Sequence, residues 1–105
     1  MPSMRYEILI PLRYNDGSEV EPQNILKTRR DLTQQFDAMT IEPQRLQGLW
    51  IHNGQEYEDE LIRFVVDVQQ NTPQITEFFK EYKEVLKQRF RQIDIWITAY
   101  PIQIV

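Results

Sequence analysis

The sequence predicts an α+β domain of the ferredoxin-like type, βαββαβ, in which a four-stranded antiparallel sheet carries two helices on one face. Three observations predict it. Asn53-Gly54 separates two strand-like runs, two segments repeat apolar residues at helical spacing, and alternating apolar runs open and close the chain. The resulting order, strand, helix, strand, strand, helix, strand, is the split βαβ pattern. Right-handed crossovers then place both helices on one side and set the last strand at an edge beside the first.

In residues 6–12, Tyr6, Ile8, Ile10 and Leu12 fall on one face of a strand. Residues 15–18, Asn-Asp-Gly-Ser, form a turn cluster, and Pro22 suits the first turn of a helix, where its missing N–H is not needed. Ile25, Leu32, Phe36 and Met39 share one face of that helix, which is predicted to end near Thr40.

Residues 49–52 and 55–57 flank Asn53-Gly54, whose two positions favour the positive φ of a tight hairpin. In that register His52 faces Gln55 and Trp50 faces Tyr57. The second arm continues through residues 61–68 with Ile62, Phe64, Val66 and Val68 on the core side. Straight counting puts Glu56, Glu58 and Glu60 on that side too, so either they form a rim beyond the helices or a bulge near Asp59 resets the register.

Thr72-Pro73 is a capping side chain followed by a proline suited to the first helical position. Ile75, Phe78, Phe79, Tyr82, Leu86 and Phe90 form the apolar stripe of this second helix. The last strand is predicted over residues 93–100. It is apolar on both faces, with Ile93, Ile95, Ile97 and Ala99 on one and Trp96 and Tyr100 on the other.

The stretches 57–61, 78–83 and 89–96 resemble those of small conserved bacterial proteins of unassigned function. The resemblance runs along most of the chain, carries no catalytic motif, and implies the same βαββαβ fold.

At 105 residues the chain is expected to be one domain, burying about two-thirds of its unfolded surface. Without cysteine it has no disulfide and no thiolate chemistry, which fits a cytoplasmic protein. The N-terminal residues lead straight into a strand, so neither a secretion signal nor a membrane segment is expected. With 16 acidic against 12 basic residues, a sequence-independent binder of nucleic-acid backbone is disfavoured.

Glycine occurs only at 17, 48 and 54, leaving no glycine-rich phosphate loop. Ser3 and Ser18, the only serines, lie outside any nucleophile-elbow context. No cofactor is expected and no metal site is assigned. His52, the only histidine, is either a general base or metal ligand or simply a polar residue at a hairpin end. Glu56, Glu58, Asp59 and Glu60 read as a solvated rim rather than a hard-cation or paired-carboxylate site. Lys87, Arg89 and Arg91 read as cations placed near a helix C-terminus.

The remaining surface is the sheet face opposite the helices. Leu9, Trp50, Tyr57, Val65, Trp96 and Tyr100 are predicted to share it, with His52 near Trp50 and with Arg63 and Asp67 between them. An apolar patch of this kind marks an interaction site. The first expectation is a non-enzymatic module that forms a homodimer through this face or through the last strand. The second, from another class, is a small-molecule binder or small cofactor-independent enzyme, its pocket lined by Trp50, His52, Tyr57, Arg63 and Trp96. Single-stranded RNA binding by stacking is a third, opposed by the acidic balance and the missing aromatic-glycine consensus.

Overall fold

The computed structural model describes residues 2–105. Along it run β1 (Ser3–Pro11), α1 (Pro22–Phe36), β2 (Thr40–His52), β3 (Gln55–Val68), α2 (Pro73–Arg89) and β4 (Ile97–Ile102). The sheet is antiparallel with order β2-β3-β1-β4, so the last strand lies at an edge beside the first, as the ferredoxin-like order requires.

The core forms where the apolar stripes of both helices meet the even-numbered side chains of the central strands. Ile8 and Ile10 of β1 and Phe64 and Val66 of β3 are buried with Leu32 of α1 and Phe79, Tyr82 and Leu86 of α2. Aromatic contacts tie the layers, with the Tyr6 ring stacked on Phe79 at 3.9 Å and Phe36 on Phe79 at 5.3 Å. Thr72 caps α2 as its sequence predicts, its hydroxyl accepting from the Ile75 N–H at 3.2 Å.

The two helices are joined by a polar network. Arg89 Nη2 donates to Asp31 Oδ2 at 2.9 Å, its Nη1 donates to Thr28 Oγ1 at 2.9 Å, and the Tyr82 hydroxyl donates to Asp31 Oδ2 at 3.0 Å. Arg89 is thus more than a cation at a helix end, since it closes an interhelical ion pair. Burial, then the hydrogen bond to Asp31, push the Tyr82 phenol up to about 12. Because this value lies above the ordinary 10.0, the stabilisation is present below pH 10 and is lost as the pH rises toward 12. The urea midpoint is therefore expected to fall across that window, and Tyr82→Phe to reduce the fall. An equal fall in the variant would remove this account of the network.

Several boundaries differ from those expected. The first helix stops at Phe36, because Asp37 takes the left-handed conformation (φ 66) and returns its N–H to the Thr33 carbonyl; Thr40 instead begins β2. The last strand starts at Ile97, not Ile93. Arg91 turns the chain at φ 52 and Asp94 accepts the Ile95 N–H at 2.9 Å, which bends residues 93–96 away from a strand. As a result Ile95 is buried while Ile93 and Ala99 are exposed. Of the two alternatives for Glu56, Glu58 and Glu60 the rim is the one observed, since β3 pairs without interruption from Gln55 to Leu61 and has no bulge near Asp59. The irregularity falls on β2 between Glu42 and Leu46, around Pro43.

Candidate functional site

The hairpin turns as its sequence requires, with Asn53 at φ 51 and Gly54 at φ 76. Its arms are longer than the sheet they belong to. β1 covers β3 from Leu61 to Val68 and the Leu12 N–H adds one bond to the Glu60 carbonyl, while residues 55–59 of β3 pair with β2 alone. A two-stranded arm therefore runs past the four-stranded part of the sheet. Glu56, Glu58 and Glu60 line one of its faces and Asp59 the other, so alternation separates Asp59 from the three glutamates, of which Glu58 bonds Gln47 and Glu60 two arginines. Glu60 is held by Arg13 and Arg45, and the Arg13 bond foremost keeps its carboxyl below the usual range.

The same arm exposes apolar side chains. On the face shared with the helices, which do not reach this far, Leu49 is 65% and Ile51 74% exposed. On the other face Trp50 stacks on Tyr57 with ring centroids 4.5 Å apart, and its Nε1–H donates to Asp59 Oδ2 at 2.6 Å. His52 lies at the exposed hairpin end with its ring 6.3 Å from Trp50.

The open sheet face divides into two halves. The polar half surrounds Arg63, whose Nη1 donates to Glu42 Oε2 at 2.8 Å and whose Nε lies 3.6 Å from Glu7 Oε2 without a hydrogen bond. Tyr100 donates its hydroxyl to Glu7 Oε1 at 2.8 Å, and Arg5 pairs with Asp67 at 2.7 Å, which raises the Arg5 pKa. Val65 sits in this half between its partners Glu7 and Thr40 and is only 3% exposed. It was expected in an exposed apolar patch; neighbouring polar and charged side chains cover it instead.

The apolar half is concave. A pocket of about 370 Å³ lies among Leu9, Pro11, Leu61, Trp50 and Trp96, with Asp59, Asp94 and Gln92 also on its wall. Cross-strand register sets the sheet side chains: Leu9 faces Arg63, Pro11 faces Leu61, and Gly48 faces Asp59. The Leu9 N–H donates to the Trp96 carbonyl at 3.0 Å, which carries the pairing one residue beyond β4 and holds Trp96 at the pocket. Trp96 is 62% exposed.

Of the eight side chains expected here, Leu9, Trp50 and Trp96 meet in the pocket, while Tyr57 supports it from behind Trp50. Arg63, Val65 and Tyr100 belong to the polar half, and His52 stands apart at the hairpin tip. Sequence reasoning read Asp59 only as part of an acidic rim and did not single out Gly48, Leu61, Leu49 or Ile51. The signal for the last two was the acidic rim itself. If Glu58 lies beyond the helices, its partner Leu49 does too, and so does Ile51 opposite Glu56.

No family model matches the chain and no curated protein matches it. Two solved structures share its fold. One is a phage SAM lyase in complex with S-methyl-5'-thioadenosine, with a TM-score of 0.67 and 12% identity over 98% of this chain and 91% of the other. The second is CutA1 from Oryza sativa, with a TM-score of 0.62 and 11% identity over 98% of this chain and 82% of the other. At these identities the likeness establishes the small α+β ferredoxin-like fold.

Proposed function

We propose that the chain is a single-domain, non-enzymatic interaction module, cytoplasmic and related to the small bacterial proteins it resembles, that self-associates as a homodimer through its open sheet face. The observation that carries this reading is the hairpin arm. On its open side Trp50 stacks on Tyr57 and lines one pocket with the exposed Trp96, while its other side exposes Leu49 and Ile51 beside Glu56 and Glu58. A two-stranded hairpin alone is marginal in water. A second copy laid against the open face covers the Trp50 and Tyr57 side of the arm together with Trp96.

The face is favoured over the edges. Both edge strands carry a proline, Pro43 in β2 and Pro101 in β4, which removes a backbone donor from a strand that would otherwise template pairing. Replacing Tyr57 by Asp is expected to weaken association while leaving the far-ultraviolet circular dichroism unchanged, because this side chain lies on the open face of the arm and outside the core. Sedimentation velocity at micromolar concentration reads the result. An undiminished assembly would take the arm out of the interface.

A second reading has its own observation, the pocket of about 370 Å³ already formed within one chain. Its volume falls in the range of about 300–1,000 Å³ typical of small-ligand sites, and its lining is mostly apolar with a few polar groups. On this reading the module carries a small molecule at the face where copies meet.

A further inference from the structure

The walls of the pocket select a chemical class as well as a size. Two indoles, Trp50 and Trp96, line it, and these are the chain's only tryptophans. A tryptophan face is the strongest aromatic attractor of a cation. Among the described residues no lysine, arginine or histidine lines the pocket, so a phosphate or carboxylate ligand finds no basic side chain on its wall.

The two carboxylates on the wall are not equivalent. Asp94 is already offset, its Oδ1 lying 3.0 Å from Lys83 Nζ and accepting the Ile95 N–H. Asp59 accepts one hydrogen bond, from Trp50 Nε1, and has no ion-pair partner among the described residues. A half-buried carboxylate without a counter-charge is unfavourable, and a cation in the pocket relieves it.

Gly48 supplies the room. Its backbone lies outside the left-handed region, so the turn of the chain does not require glycine. A Cβ there would come 3.2 Å from Leu61 Cδ1, on the pocket floor. Glycine inside a strand weakens it and often marks a place where a ligand approaches closely.

We infer that the pocket between Trp50 and Trp96 binds a small organic cation, an alkylated ammonium with an apolar body, and this rests on the ligand-binding reading above. The methyl groups lie against Leu9, Pro11 and Leu61, the indoles meet the charge, and Asp59 balances it.

The test compares two molecules of the same shape, choline and its uncharged carbon isostere 3,3-dimethylbutan-1-ol. The readout is the two indole Nε1–H resonances of nitrogen-15-labelled protein, since each tryptophan reports from within the site. Choline is expected to shift both resonances and to bind about fivefold or more tightly than the alcohol. Asp59→Asn, which keeps an acceptor for Trp50, is expected to remove that preference while both indole signals stay dispersed. Equal binding of the two molecules would overturn the cation assignment and leave the pocket as a ligand site. Binding of neither at tens of millimolar would overturn both, and a preference that survives Asp59→Asn would overturn the role given to Asp59.

Discussion

Trp96→Glu is expected to convert the assembled protein to single chains of 12.7 kDa without unfolding them. The indole is 62% exposed within one chain, beside the pocket and on the face proposed to meet a second copy. Its removal therefore costs the isolated chain little, within about 0.5 kcal/mol for an exposed site. In the assembly the same change exchanges a large apolar anchor for a carboxylate that must be stripped of water. Tryptophans at the centre of an interface are worth about 2–4 kcal/mol, so dimer affinity is expected to fall by roughly 30- to 1,000-fold. Chromatographic mass and thermal midpoint separate the two effects. A lowered mass with an unchanged midpoint is the expected result. Unchanged mass in a folded variant would mean that Trp96 lies outside the contact.

Arg89→Ala is expected to give the largest loss of stability among polar substitutions. The Arg89 side chain is 9% exposed and donates to Asp31, Thr28 and Tyr82, so its loss takes one donor from each of three oxygen atoms between the helices and leaves the Asp31 carboxylate without its counter-charge. Breaking a fully buried pair costs about 3–5 kcal/mol. Asp31, at 33% exposed, can recover some hydration, which places the expected loss near about 3 kcal/mol. Against a total of about 5–15 kcal/mol for a domain, that is a large fraction. Replacing the pair together, Arg89→Met with Asp31→Leu, is expected to cost less than Arg89→Ala alone, because no charge is then left unpaired. Urea denaturation measures both. A loss below about 1 kcal/mol for Arg89→Ala would mean that water serves the network equally well.

The parts of this fold that could be read from the sequence are those set by local chemistry. Asn53-Gly54 specifies its turn through two positive φ angles, and Thr72-Pro73 starts α2 with a cap and a ready-made φ. Strand alternation then puts Leu9 and Trp50 on one face, because a register of two leaves no third choice. The misplaced boundaries have tertiary or loop causes. Ile93-Asp94-Ile95 alternates like a strand, but the Asp94 side chain takes up the Ile95 N–H and the chain turns. The long β2 was hidden because residues 43–45, Pro-Gln-Arg, break the alternation where the register shifts.

The site was legible in part for the same reason. Which residues share a face follows from parity, whereas which half of that face is covered depends on charges from different strands. Arg63 reaches Glu7 on β1 and Glu42 on β2, and Val65 beside them is buried as a result. Gly48 stands opposite Asp59 in the register that the Asn53-Gly54 turn sets, but the approach of Trp96 from beyond α2 to the same pocket depends on tertiary packing. Sequence pattern does not carry that information.

Self-association through the open face is the central claim, and the mass of the unmodified chain in solution tests it most directly. Light scattering on a micromolar sample is expected to give twice the 12.7 kDa chain mass. A mass of one chain, unchanged as the concentration is raised tenfold, would contradict it and leave the arm and Trp96 uncovered by a second copy.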